Sequence, residues 1–207
     1  MFTLSLTGCL NSATPEENIY ETLEEVAALE EDFKKQQEPL QKLEEEDNEL
    51  YSKIVQLGMK EIDEVKSLSN DAIKGIENRE ELMKKEKVAI DEAKERFQDV
   101  DAQIEELEDN SLKAKADELK GIMTNRFEEY DHLYKLYTTS LTLEIDLYTL
   151  FKKEDVTKEE LERKIEAINQ TYTSLMESNT KFNDLTNEYN EKKIAFYKDA
   201  KLDVDVK

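Results

Sequence analysis

Apolar residues recur at Ile19, Leu23, Val26 and Phe33, then at Leu40, Leu43, Leu50, Ile54 and Leu57. Steps of three, four and seven keep these positions on one side of an α-helix. Thr14-Pro15-Glu16-Glu17 predicts its start. Thr14 supplies a hydroxyl cap, Pro15 suits the first helical position, and Glu17 completes a capping box. Gly58 predicts its end. Pro39 removes one backbone hydrogen bond, which predicts a kink or break near Gln36–Gln37.

The second stretch is the most regular. Ile62, Ser69, Ile76, Met83, Ile90, Phe97 and Ile104 lie seven apart, with Val65, Ala72, Arg79, Glu86, Ala93, Val100 and Leu107 three residues after each. This is an a/d heptad seam. Arg79 and Glu86 interrupt it and are expected to reach solvent or pair with a neighbouring helix; a polar site inside the bundle is the other option. Asp109-Asn110-Ser111 marks a turn and cap. A third helix follows through Leu119, Met123, Phe127, Tyr130, Tyr134, Tyr137, Leu141, Ile145 and Tyr148, at helical spacing. Thr157-Lys158-Glu159-Glu160 is a second capping box. It opens a fourth helix through Leu161, Ile165, Ile168, Tyr172, Leu175, Phe182, Tyr189 and Phe196. Asn179, Thr186 and Lys193 interrupt that last seam and predict a loose far end.

Four helices of some 40–50 residues joined by short turns must be antiparallel neighbours. The expected fold is all-α, an elongated antiparallel up-and-down four-helix bundle with coiled-coil-like packing over residues 15–201, and a frayed tail over 202–207. Such a bundle buries its seams internally, so a monomer is expected.

The first residues do not continue this pattern. Leu6-Thr7-Gly8-Cys9 fits the lipobox of bacterial lipoproteins. There, small residues precede the cleavage site and the thiol accepts a diacylglycerol. Two acyl chains anchor a soluble body stably where one does not. Residues 1–9 carry no Lys or Arg and only a short apolar run, so they are read as the remnant of a signal peptide whose start lies upstream. Residues 10–14 read as a linker. Cys9 is therefore the candidate lipidation site, and the expected location is the extracytoplasmic face of the cell membrane. An incidental cysteine on a plain tail is the competing reading.

Charge narrows the partners. Acids outnumber bases 51 to 29, a formal net charge of -22, which repels nucleic-acid phosphates and anionic headgroups. With four Gly and two Pro in 207 residues, the composition is that of a helical chain rather than a low-complexity one. One cysteine and one histidine, His132, exclude a Cys-based zinc cluster or a multi-His centre; no metal, cofactor or catalytic residue is expected. Catalysis by paired acids would need a cleft, and a narrow bundle predicts none. Residues 16–50 hold 14 acids against 3 bases, residues 157–201 9 against 8. That asymmetry is either a solvated face or a surface for a basic protein or divalent cations; Glu44, Glu45, Glu46 and Asp47 are candidate carboxylates for such a cation. Tyr130, Tyr134 and Tyr137 share one helical face, which assigns them to the core; a sugar-stacking surface is the alternative.

Leu6-Thr7-Gly8-Cys9, the segment EEVAALEEDFKKQQEPLQKLEEE at 24–46 and AINQTY at 167–172 together resemble the YkyA-like lipoprotein family of Gram-positive bacteria, whose assigned role is cell-wall binding. The resemblance implies a lipid-anchored four-helix bundle that contacts peptidoglycan or teichoic acid, with Cys9 as the one functional residue it transfers. The contrasting expectation is a cytosolic acidic coiled-coil scaffold, with Cys9 unmodified and the chains in a parallel oligomer.

Overall fold

A computed structural model describes residues 13–202. It holds α1 (Pro15–Leu29), α2 (Glu31–Leu57), a 3-10 turn (Gly58–Glu61), α3 (Ile62–Phe97), α4 (Val100–Glu105), α5 (Asn110–Phe151) and α6 (Lys158–Asp199). No strand occurs among the described residues. α1 with α2, α3 with α4, α5 and α6 form four antiparallel rods, and the 42 residues of α5 give a length of about 60 Å. The fold is the expected all-α bundle.

The ends form as local chemistry dictates. Thr14 and Glu17 cap α1 reciprocally, and Thr157 and Glu160 do the same for α6. Asp109 accepts from the backbone N–H groups of Ser111 and Leu112 at 2.7 and 3.2 Å. Gly58 ends α2 at φ 61°, a left-handed angle that costs little without a Cβ. α6 ends in a Schellman arrangement, with Lys201 at φ 56° and the Leu202 N–H donating to the Tyr197 carbonyl at 3.1 Å. Leu202 thereby packs on the core rather than fraying; residues 203–207 lie outside the described residues.

Three sequence expectations change. The first rod breaks at Glu30, not near Gln36–Gln37: α2 runs through Pro39. Pro39 and its neighbours Lys35 and Glu38 are exposed, so the carbonyl it leaves free can bond water. The second rod is interrupted at Gln98–Asp99 between α3 and α4, within a seam whose heptads continue unbroken. The far end of α6 is not loose: Phe196 and Tyr197 are buried, because Thr186 and Lys193 find polar partners of their own.

The core has two parts. One, around Ile19, Leu23, Ile90, Phe97, Phe127 and Phe196, lies toward the start of α1. The other, around Ile54, Ile76, Met83, Leu141, Leu147 and Tyr148, lies toward the Gly58 turn.

Candidate functional site

Three sides of the bundle are closed by helix packing: α2 on α3, α3 on α5, and α5 on α6. The fourth is not. α1 and α2 make no extended backbone approach to α6, and the space between them is a groove of about 970 Å³. α2 lines it with Lys34, Gln37, Glu38, Gln41 and Glu44; α6 lines it with Met176, Asn179, Asn183, Thr186 and Asn190. Apart from Met176, these are polar residues where an apolar stripe would have drawn the two helices together. Its floor comes from Met83 and Glu86 of α3 and Met123, Arg126, Tyr130 and Tyr137 of α5. The expectation that a narrow bundle has no cleft is thus corrected.

Side chains bridge the groove. Near its α1 end, Tyr20 and Tyr197 meet edge to face at 4.9 Å. Glu24 accepts from Tyr197 at 2.8 Å and from Lys193 at 3.0 Å. Partial burial alone would raise the Glu24 pKa, but these two partners outweigh it and hold the group below its ordinary value. Farther along, the Arg126 guanidinium donates twice to Glu30, at 2.6 and 2.9 Å, and once to Thr186 at 2.7 Å. It also lies over the Phe182 ring at 4.6 Å. The break between α1 and α2 falls at the residue Arg126 holds.

Beneath the groove lies a buried polar layer. Arg79, 1% exposed, pairs with Glu144 and lies 3.7 Å from Asp47. The Tyr172 hydroxyl donates to Glu144 at 2.8 Å, and the Tyr137 hydroxyl to Glu44 at 2.7 Å. Burial raises the Asp47 pKa to about 6, against the pull of Arg79 and with the help of Glu144. Glu86 is also 1% exposed. It accepts from Gln37 at 2.7 Å and from Tyr130 at 3.4 Å. Burial pushes it up to about 7, with those two hydrogen bonds opposing. Both seam breakers therefore turn inward; they pair with neighbouring helices but neither reaches solvent. Glu86 lines the floor of the groove, with one oxygen accepting from Gln37 and the other from Tyr130.

Of the tyrosines assigned to the core, Tyr130 and Tyr137 are buried and Tyr134 is half-buried. The acidic run at 44–47 does not act as one surface. Glu44 and Asp47 face inward onto Tyr137 and Arg79, while Glu45 and Glu46 are exposed. Among the described residues no cluster of His, Cys, Asp and Glu could hold a metal ion, and no helix is long and apolar enough to cross a membrane. Cys9 lies outside the described residues. The groove itself escaped sequence reasoning, though its signal was present: Asn179 and Thr186 were visible as seam breakers, and Asn183 and Asn190 extend the same face.

A family model described as "Putative cell-wall binding lipoprotein", YkyA, matches residues 14–199. The chain belongs to the YkyA family. An "Uncharacterized lipoprotein YkyA" of Bacillus subtilis (strain 168) is 30% identical over 194 residues, 94% of this chain and 86% of the relative. The 1.6 Å crystal structure of a conserved protein of unknown function from Staphylococcus aureus superposes with a TM-score of 0.77 at 18% identity. It covers 91% of this chain and 98% of that one, and at that identity it shows the fold alone. The match to the YkyA family spans the whole bundle, groove included, and the family is one of lipoproteins rather than of enzymes.

Proposed function

We propose that the protein is anchored to the outer face of the membrane by lipid on Cys9. It acts there as an interaction module or spacer between membrane and cell wall, with the groove as the surface that meets the wall. The observation that carries this reading is the open seam. A chain serving only as a rod gains by closing all four sides, and this one keeps polar residues along a single side. The lipoprotein family and Leu6-Thr7-Gly8-Cys9 support the anchor. With α1 beginning at Pro15, the end of the bundle nearest the anchor is the apolar one. The other three seams are packed within one chain, which supports a monomer.

Expression with an upstream export leader is expected to place the chain in the membrane fraction, and Cys9→Ala to release it or block its processing. Mass spectrometry of the mature N-terminus decides the anchor. A mature chain that retains Met1 and a free thiol would sink it. Retention on purified walls, with and without teichoic acid, decides the wall contact. A basic protein partner is the second reading, favoured by the 14 acids against 3 bases over residues 16–50. Added salt would weaken that attraction by screening, whereas it would relieve repulsion between this chain and a polyanionic wall polymer.

A further inference from the structure

The groove does not share the charge of the body around it. Three cations line it, Lys34, Arg126 and Lys193, against four carboxylates, Glu30, Glu38, Glu44 and Glu86. One pair of these cancels directly, Arg126 with Glu30, and Lys193 is held by Glu24 beside the groove. Most of the exposed residues along the opening carry neutral amides, set over a lining that is otherwise largely carbon. Asn179, Asn183, Thr186 and Asn190 follow one another at steps of four, three and four, so they form one stripe along α6. Gln37 and Gln41 face them from α2. Asn179, Asn183 and Asn190 are exposed, and none of their side-chain amides bonds a protein group among the described residues. The Tyr189 hydroxyl is a separate observation: its residue is 7% exposed and lines the groove, yet that oxygen has no protein partner. Carbon is available beside these polar groups, in half-buried Phe33 and Tyr172 and in Met176, which is 70% exposed.

Donor and acceptor capacity selects the ligand class. A carboxylate only accepts and an ammonium only donates, while an amide does both from one planar group. A row of amides therefore matches a ligand whose own groups are amides and hydroxyls. A polyanion is disfavoured by the net charge of -22, and a polycation would be drawn to the outer acidic face of α1 and α2. The lining on α6 runs from Tyr172 to Lys193, about 30 Å of helix, which fits an extended strand better than a compact molecule.

We infer that the groove binds an uncharged, N-acetylated glycan strand. Asn179, Asn183 and Asn190 exchange hydrogen bonds with its acetamido and hydroxyl groups, and Met176 and Phe33 lie against its carbon faces. This rests on the reading that the protein meets the wall, and it names what the groove takes there.

Calorimetry of the full chain with N-acetylglucosamine hexamers tests it, beside de-N-acetylated hexamers of the same length. The N-acetylated hexamer is expected to bind with an affinity unchanged within twofold from 50 to 500 mM salt, because neither side carries a charge to screen. Asn183→Ala and Asn179→Ala are each expected to weaken it about three- to tenfold, the worth of one hydrogen-bonding group. Asn187→Ala, on the exposed side of the same helix and outside the groove, is expected to leave it unchanged. Equal binding of the de-N-acetylated hexamer at 500 mM salt overturns the inference, as does indifference to the groove asparagines. So does dimerisation at rising concentration that Met176→Glu abolishes, since the groove would then be taken by a second copy. Retention on walls without hexamer binding removes the ligand assignment and leaves the wall-binding reading intact. Hexamer binding by a chain that walls do not retain does the reverse.

Discussion

Toward the start of α1 the rods meet through Ile19, Leu23, Ile90, Phe97, Phe127 and Phe196, nearly all carbon. Toward the Gly58 turn the same heptad seam carries Arg79, and Glu144, Asp47 and Tyr172 gather around it. The first region is held chiefly by area removed from water, which tolerates loss one group at a time, with one buried ion pair, Arg126 with Glu30, on its groove side. The second holds charges out of water, where each member depends on its partners. The two also differ at the open side. Near α1 the groove is pinned by Tyr20, Glu24 and Tyr197, while at Met176 and Asn179 no such pin crosses it. Rigid packing at one end and a polar, partly open middle is an arrangement that can hold a position and still present a surface.

The sharpest way to break this contrast is Arg79→Met. It leaves Glu144 and Asp47 buried without their cation, a loss of about 3–5 kcal/mol. For a chain of this size that is roughly 10 °C in melting temperature. Adding Glu144→Leu is expected to restore at least half of the loss, because removing both charges removes the desolvation penalty as well. No recovery in the double variant would show that the pair itself, rather than the stranded charge, stabilises this half.

Ile90→Ala probes the apolar half. At a site with no exposure it is expected to cost about 2–4 kcal/mol by lost transfer and cavity, by the same amount at pH 5 and pH 8. A pH-dependent cost would mean that the two halves are coupled through Glu86.

Glu86→Gln gives the pH contrast directly. Glu86 is held at about 7 against an ordinary 4.5, so between those values the folded chain binds a proton that the unfolded chain releases. Stability falls as pH rises through that window. Asp47, at about 6 against 3.8, adds the same sign over about pH 4–6. Glu24, Glu129 and Asp131 are held below their ordinary values; their contributions are present above pH 4.5 and lost on further acidification. Glutamine imitates the protonated acid, so the variant is expected to be more stable than the parent at pH 7.5, by about 1–3 kcal/mol, and equal to it at pH 4.5. Chemical denaturation at the two pH values checks both figures; an unstabilised variant at pH 7.5 would show that Glu86 is ionised at little cost.

The smallest effect belongs to the pin. Glu24→Gln keeps the shape and weakens the bonds from Tyr197 and Lys193. Glu24 is partly exposed, so the expected loss is below about 1 kcal/mol. A larger loss would show that the pin, and not the packing of α5 on α3, sets the width of the groove.

The sequence by itself determined the rods. Caps at Thr14, Asp109 and Thr157 and the stop at Gly58 act within a few residues of themselves, and period-seven and period-3.6 stripes need no partner to be recognised. It also marked the polar residues within those stripes, at Arg79, Glu86, Asn179 and Thr186, without showing what they were for. Only the tertiary structure could decide that. Arg79 is buried because Glu144, 65 positions away, arrives beside it. Asn179 stays exposed because α2 never closes on α6. A helix stripe records which side of a rod avoids water, which is a property of near neighbours. Whether a polar residue on that side becomes a buried pair or the wall of a groove depends on what a distant rod places opposite it.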